Sequence, residues 1–422
     1  MTIIELGDPG SAATAPAPAR RRLDHRVVVR WAAAAVAVLC AATLTGSAVS
    51  SSTVIRPRWS VAFSPTSLAD AARDTVFVQS INAGSQVTAY ELGSGAVRWS
   101  TGLPMPRGRM TARVPGAVLV PILLEGTVAL DPRTGAEMWR LPGDIVSATP
   151  ETALLTQPDR TLILVRMADG DRIWSRAIEG GESWAVVGPE RQRIVGATPD
   201  GRLQVLRLSD GALLSQGRVD NGNGVPVRNG LVAESGLLFV NRMEAYRAVV
   251  TAYDLDTLRQ RWRYAQSATD TIVTGSAARA CGVVLCFADG TTTVGLDPGT
   301  GTVRWRAAGF VDAVPVTGQN RVLADSADHG RYALIDTATG TVVVSLGAGT
   351  AVRDAVRSVP AYYLRPVAPD GRRVAAGRID LATGGLQLRG IVGAVGPQGC
   401  TAVADILICG TNDGRLTVTD VG

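Results

Sequence analysis

Few residues in this chain are of a type that can hold a metal, move a proton or change oxidation state, and their spacing narrows the chemistry further. Four of the five cysteines form two short-range pairs: Cys281 and Cys286 flank Gly-Val-Val-Leu, and Cys400 and Cys409 flank Thr-Ala-Val-Ala-Asp-Ile-Leu-Ile. Each pair is spaced to close a hairpin by a disulfide, a bond that persists in oxidising compartments and is rare in the cytosol. The alternative is one four-cysteine metal site, which would require two distant segments to meet and lacks close Cys-x-x-Cys spacing. Cys40 lies inside an apolar segment, away from any small-residue box near its end, which argues against a lipid-modified cysteine. The histidines are His25 and His329, the second in Asp328-His329-Gly330, a solvated turn. A histidine metal centre or a Ser-His-Asp triad would lack partners. Asp131, Asp254, Asp297, Asp336 and Asp380 are numerous enough for acid–base work, but they recur at one position of a repeated pattern. That placement suits a side chain that satisfies the backbone of its own turn. The glycine-rich stretch 220–226 lacks the lysine and the strand-to-helix setting of a phosphate loop. No catalytic, cofactor-binding or metal-ligating residue is assigned.

The elements that must carry these residues are repeats. Gly126-Thr127-Val128-Ala129-Leu130-Asp131-Pro132-Arg133-Thr134-Gly135 leads to Trp139, and variants of this strand–turn–aromatic pattern lead to Trp99, Trp174, Trp262 and Trp305. Leu258 stands in the glycine place of the Trp262 copy, and weaker copies end at Ser215, Val344 and Leu388. These anchors at 99, 139, 174, 215, 262, 305, 344 and 388 lie 35 to 47 residues apart, a period that signals a repeat architecture. Within a repeat, short β-branched runs such as Val283–Phe287, Thr292–Leu296 and Val303–Arg306 are divided by Gly, Asp and Pro, giving about four antiparallel strands. Asp289-Gly290, Asp169-Gly170, Asp200-Gly201 and Asp413-Gly414 are hairpin dipeptides. One such unit cannot bury both its faces, so the units must stack radially as the blades of a β-propeller, with each tryptophan docking on the next blade.

The Ala-Leu-Asp-x-x-Thr-Gly-x-x-x-Trp motif, seen intact at 129–139, resembles the tryptophan-docking motif of the PQQ-like (quinoprotein-type) propeller family, and the likeness extends over roughly residues 56–422. The resemblance implies eight blades. It also implies a choice between the family's quinone-dependent dehydrogenases and its non-enzymatic, BamB-like branch. In the dehydrogenases the family pattern places the quinone between a tryptophan and a disulfide of adjacent cysteines, beside a calcium or related ion. No adjacent cysteines occur here, although the sugar-oxidising relatives also lack them. Trp184 is the one propeller tryptophan off the docking pattern, a candidate for a face or the channel, although such a residue is more often simply packed within a blade. Trp59, in Arg58-Trp59-Ser60, reads as a further anchor that lets the N-terminal strand complete the last blade. Counting from 59 to 388 gives eight units, with 389–420 reading as a ninth. The expectation, following the family, is an all-β, eight-bladed propeller of four-stranded antiparallel blades, docked through Trp59, Trp99, Trp139, Trp174, Trp262 and Trp305.

Residues 1–26 form a Pro- and Ala-rich tail expected to be disordered and cytoplasmic. Arg20, Arg21, Arg22, Arg26 and Arg30 flank or interrupt the start of an apolar stretch, and 27–50 are expected to form one transmembrane helix, a signal anchor. The positive-inside rule then places the N-terminus in the cytoplasm and the propeller (58–422, after a linker at 51–57) outside. A cleaved signal peptide ending near Gly46-Ser47-Ala48 is the rival reading. The chain has 42 basic residues, all arginine, and a formal net charge of +5, with arginines interleaved among acids, so nucleic acid is not implied. The expected function is a membrane-anchored, non-catalytic scaffold or assembly factor that binds an envelope protein and carries no cofactor. The alternative is an envelope ligand or carbohydrate sensor module, and a further one is the quinone-dependent dehydrogenase.

Overall fold

The computed structural model describes residues 54–422 apart from 82–84, 113, 179–182, 188–191, 199, 220–224, 245–246, 267–277, 290, 317, 327, 329, 357–358 and 368–372, and apart from the side chains of 225–229. Among the described residues the regular elements are strands, gathered into nine antiparallel sheets. In the first, Leu68–Ala72, Thr75–Ser80, Gln86–Glu91 and Val97–Gly102 follow one another from the inside outward. Blades three to eight repeat this order. The ninth takes Cys400–Val403, Ile406–Gly410 and Arg415–Asp420 from the end of the chain and Trp59–Ala62 from its beginning, with Trp59 opposite Val418.

The propeller therefore has nine blades, and the eight implied by the family resemblance are corrected. No repeat is degenerate enough to be absorbed by its neighbour: the copies ending at Ser215, Val344 and Leu388 each form a complete four-stranded sheet. The unit 389–420 supplies three strands of a blade that the Trp59 strand completes. The expected transmembrane helix is not part of the described architecture. No helix long and apolar enough to cross a membrane occurs among the described residues, and both the segment 27–50 and the tail 1–26 lie outside them.

Burial follows strand position. Second and third strands are covered on both faces by neighbouring blades, so Thr75–Ser80 is buried at every position but Ser80, its polar Thr75 and Gln79 included. Fourth strands alternate, as in Val303–Ala308, where Trp305 and Ala307 point inward and Arg304 and Arg306 outward. Next to the turn that joins the third and fourth strands, the pairing slips by one residue, at Ala89/Tyr90, Ala129/Leu130, Gly295/Leu296 and their equivalents. A bulge of this kind increases local twist, which lets a blade fan outward from the axis.

Candidate functional site

The joints between blades are built from the repeated turn. Asp297 Oδ1 accepts from the backbone amides of Gly299 and Thr300 at 2.9 Å each, and the Gly301 amide donates to the Asp297 carbonyl at 2.8 Å. Gly301 then sits at φ +72°, where a Cβ would lie 2.5 Å from the Trp262 ring, so glycine is required both by conformation and by the indole packed on it. Trp262 Nε1 closes the joint by donating to the Pro298 carbonyl at 2.8 Å. The same pairing carries Trp59 to Leu92, Trp99 to Pro132, Trp139 to Met167, Trp174 to Leu208 and Trp305 to Thr337, at 2.7 to 3.0 Å.

Three joints lack the indole, and each is filled differently. Between blades four and five the anchor is Ser215 and the glycine place is Leu258, whose side chain packs over Gly217 from the opposite side of the joint. Between seven and eight, Val344 packs against Gly384. Between eight and nine the chain ends leave no continuous turn. There Val54 and Ile55 meet the outer strand of blade eight, with Ile55 donating from its amide to the Ile391 carbonyl at 2.9 Å, and an Arg58–Asp420 ion pair ties the first strand to the last.

The channel rim departs from the repeat at blade two. Its innermost segment, Leu103-Pro104-Met105-Pro106-Arg107-Gly108-Arg109-Met110, carries two prolines without amide protons and pairs with Val118–Ile122 only through bridges at Pro106–Ile122 and Thr111–Leu119. The backbone groups freed by this bow are taken up by side chains of blade one. Buried Gln79 donates to the Gly108 carbonyl and accepts from the Met110 amide, both at 2.9 Å, and buried Asp70 accepts from the Ala112 amide at 3.1 Å. The bow is thus pinned, and it displays Arg107 and Arg109 at the channel. Arg107 pairs with Asp144 on the inner strand of blade three, beside a cleft of about 540 Å³. Arg109 donates to the Ala69 carbonyl at 3.0 Å and lines both that cleft and a second one of about 330 Å³, which Arg353 and Cys400 also line.

Cys400 and Cys409 are directly opposed across the first two strands of blade nine and form a disulfide with Cα atoms 4.1 Å apart. Cys281 and Cys286 are joined around the turn at Gly282-Val283, Cα atoms 5.8 Å apart, with both residues buried. The two pairs sit in blades six and nine and are not brought together. Trp184 lies on the inner strand of blade four, stacked on Gly196 in the core shared with blade three, and its Nε1 has no hydrogen-bond partner among the described residues. It packs against that core. No group of three or more metal-ligating side chains occurs among the described residues. His329 and His25 lie outside them.

The family model described as outer membrane protein assembly factor BamB matches residues 124–309 and 246–388, which together cover more than half of the chain. The protein belongs to this PQQ-like β-propeller family. No curated protein matches it. Similar solved structures include BamB from Moraxella catarrhalis, at 14% identity over 87% of this chain and 99% of that one, with a TM-score of 0.49. A computationally designed protein, Ika8, matches at 12% identity over 88% and 99%, also with a TM-score of 0.49. The dihydro-heme d1 dehydrogenase NirN, in complex with DHE, matches at 16% over 67% and 66%, again with a TM-score of 0.49. Membership of the PQQ-like family assigns the fold and leaves catalysis open, because function resides in sites grafted on the fold. The pinned bow with Arg107 and Arg109 is the feature that sequence reading missed. Its signal was present in the paired prolines of 103–110, but its anchor, Gln79, belongs to another blade.

Proposed function

We propose that this PQQ-like propeller is a non-catalytic protein-interaction scaffold or assembly factor of the cell envelope, working on the extracytoplasmic side. The match to the assembly-factor family model across 124–388 carries this reading. It is supported by the bow of blade two, a hydrogen-bonded backbone feature that presents Arg107 and Arg109 at the channel rim. The two disulfides favour an oxidising compartment. Proximity labelling from a fusion at Gly422 in the native host tests the proposal. The expected outcome is a reproducible envelope-protein partner whose labelling falls at least fivefold in an Arg107→Glu/Arg109→Glu variant that is exported normally. Labelling of abundant membrane proteins alone would overturn it. Amine-directed cross-linkers are unsuitable, since the chain has no lysine.

A second reading, an envelope ligand or carbohydrate module, is favoured by the 540 Å³ cleft beside the bow, which lies in the size range of ligand sites. It predicts a glycan or small molecule, rather than a protein, in the purified material.

A further inference from the structure

Another cleft, of about 520 Å³, lies on the face that carries the repeated Asp-x-x-Thr-Gly turns and shares Val114 with the cleft of the rim arginines. One wall is the hairpin of blade one, whose strands already pair Ala71 with Val76 and Ala72 with Thr75. A second wall comes from blade two, through Ala112, Val114, Pro115 and Gly116 and the turn at Pro132-Arg133. The third is an intruder: the inner turn of blade eight reaches beneath blade nine, where the Ala355 amide donates to the Ala402 carbonyl at 2.7 Å, and it presents Val356 to the cleft. Val356 is 54% exposed, a large apolar side chain facing open space. With Ala72, Phe77 and Ala112 it makes the interior mainly apolar.

Among the described residues, the charged groups around this interior are not balanced. Arg98 is satisfied by Asp74 and by the Thr75 hydroxyl, both at 2.8 Å. Arg73 and Arg133 make no ion pair among the described residues, and both line the cleft. Arg133 is drawn to Asp131 by charge alone, and that carboxylate already accepts the amides of Arg133 and Thr134 at 2.8 and 2.9 Å. Arg73 is held at the hairpin tip with φ +44°, a conformation that fixes where its side chain leaves the backbone. An apolar pocket lined by two guanidiniums that make no ion pair among the described residues is complementary to a molecule with an apolar body and one anionic end.

The geometry points to a binding site for a medium-chain organic carboxylate, its chain against Ala72, Val114 and Val356 and its carboxylate shared by Arg73 and Arg133. Titration of the full chain with octanoate, octan-1-ol and acetate, followed by calorimetry, tests this. Octanoate should bind saturably and at least tenfold more tightly than either control. An Arg73→Asn/Arg133→Gln variant, in which asparagine tolerates the positive φ, should lose that tenfold preference. Val356→Asp should weaken octanoate at least as much, while near-UV circular dichroism stays unchanged. Absence of saturable octanoate binding, or equal affinity in the double-arginine variant and the unaltered protein, would overturn the site. If the double variant misfolds, Val356→Asp alone decides: unchanged octanoate affinity rejects the site.

Discussion

Leu258 and Ser215 exchange the parts that glycine and tryptophan play at the indole-filled joints. At those joints the bulk comes from the outer strand of one blade and the space from the turn of the next; between blades four and five the turn supplies the bulk and the strand the space. Leu258 is buried at φ +54°, a conformation that costs a leucine about 1 kcal/mol or more, offset by the core volume it fills. Leu258→Gly alone should therefore cost about 2 kcal/mol, the lost packing partly returned by relief of strain. Ser215→Trp alone should also destabilise, because its indole meets Leu258. The double variant rebuilds the joint of the other blades, and a urea double-mutant cycle should give a favourable coupling of about 1–3 kcal/mol. Simple additivity would show that the two sites do not share one space. The six tryptophan joints could be read from sequence because tryptophan and glycine are distinctive at fixed spacing. The exchanged joint showed only as two departures, Ser215 and Leu258, since a pattern search scores each position separately while packing depends on their sum.

The turn is the element that gives the propeller its response to acid. Asp254 is held well below the usual carboxylate range by the Thr257 amide and then by Arg261; Asp297 by Arg304; Asp336 by the Thr339 amide. Because these native pKa values lie below the unfolded ones, the stability they contribute is present above about pH 4 and lost as the pH falls through the native values. The urea midpoint should thus be flat between pH 7 and 5 and drop below 4, and Asp297→Asn should flatten that drop. A midpoint that falls steeply above pH 5 would assign acid sensitivity to other groups. The bow of blade two makes a different demand. Gln79→Leu would leave the Gly108 carbonyl and the Met110 amide without their partner, at a cost of about 2 kcal/mol. Hydrogen exchange should then accelerate at Met110, with little change at Val128 or Val165. Hairpin dipeptides and Asp turns were legible because their chemistry is local. The bow was not, because it depends on a side chain 29 residues away in another sheet.

At the scale of the ring, nine blades rather than eight follow from counting every anchor, weak copies included, and letting the two chain ends share a sheet. The family resemblance implied a rounder number than the strands form. The two disulfides differ in their relation to this ring. Cys281 and Cys286 are buried, whereas Cys400 lines the channel cleft beside Arg109 and Arg353. Reduction by a small thiol under native conditions should open the Cys400–Cys409 bond first, as followed by differential alkylation and mass spectrometry. Equal rates for both bonds would mean that access to the channel does not govern their exchange.

The shared ninth sheet also sets a timetable. Trp59 pairs with Val418, and about 360 residues of chain separate them. At a synthesis rate of about 5–20 residues per second, the first strand waits roughly 20–70 seconds before its partner exists. Throughout that interval the nascent chain carries an unpaired strand at one end and an uncapped blade at the other, each a template for wrong pairing. A ribosome stalled anywhere before the last hairpin leaves an open arc with two sticky edges. Quality control for this protein is accordingly a question of how its beginning is kept occupied until its end arrives.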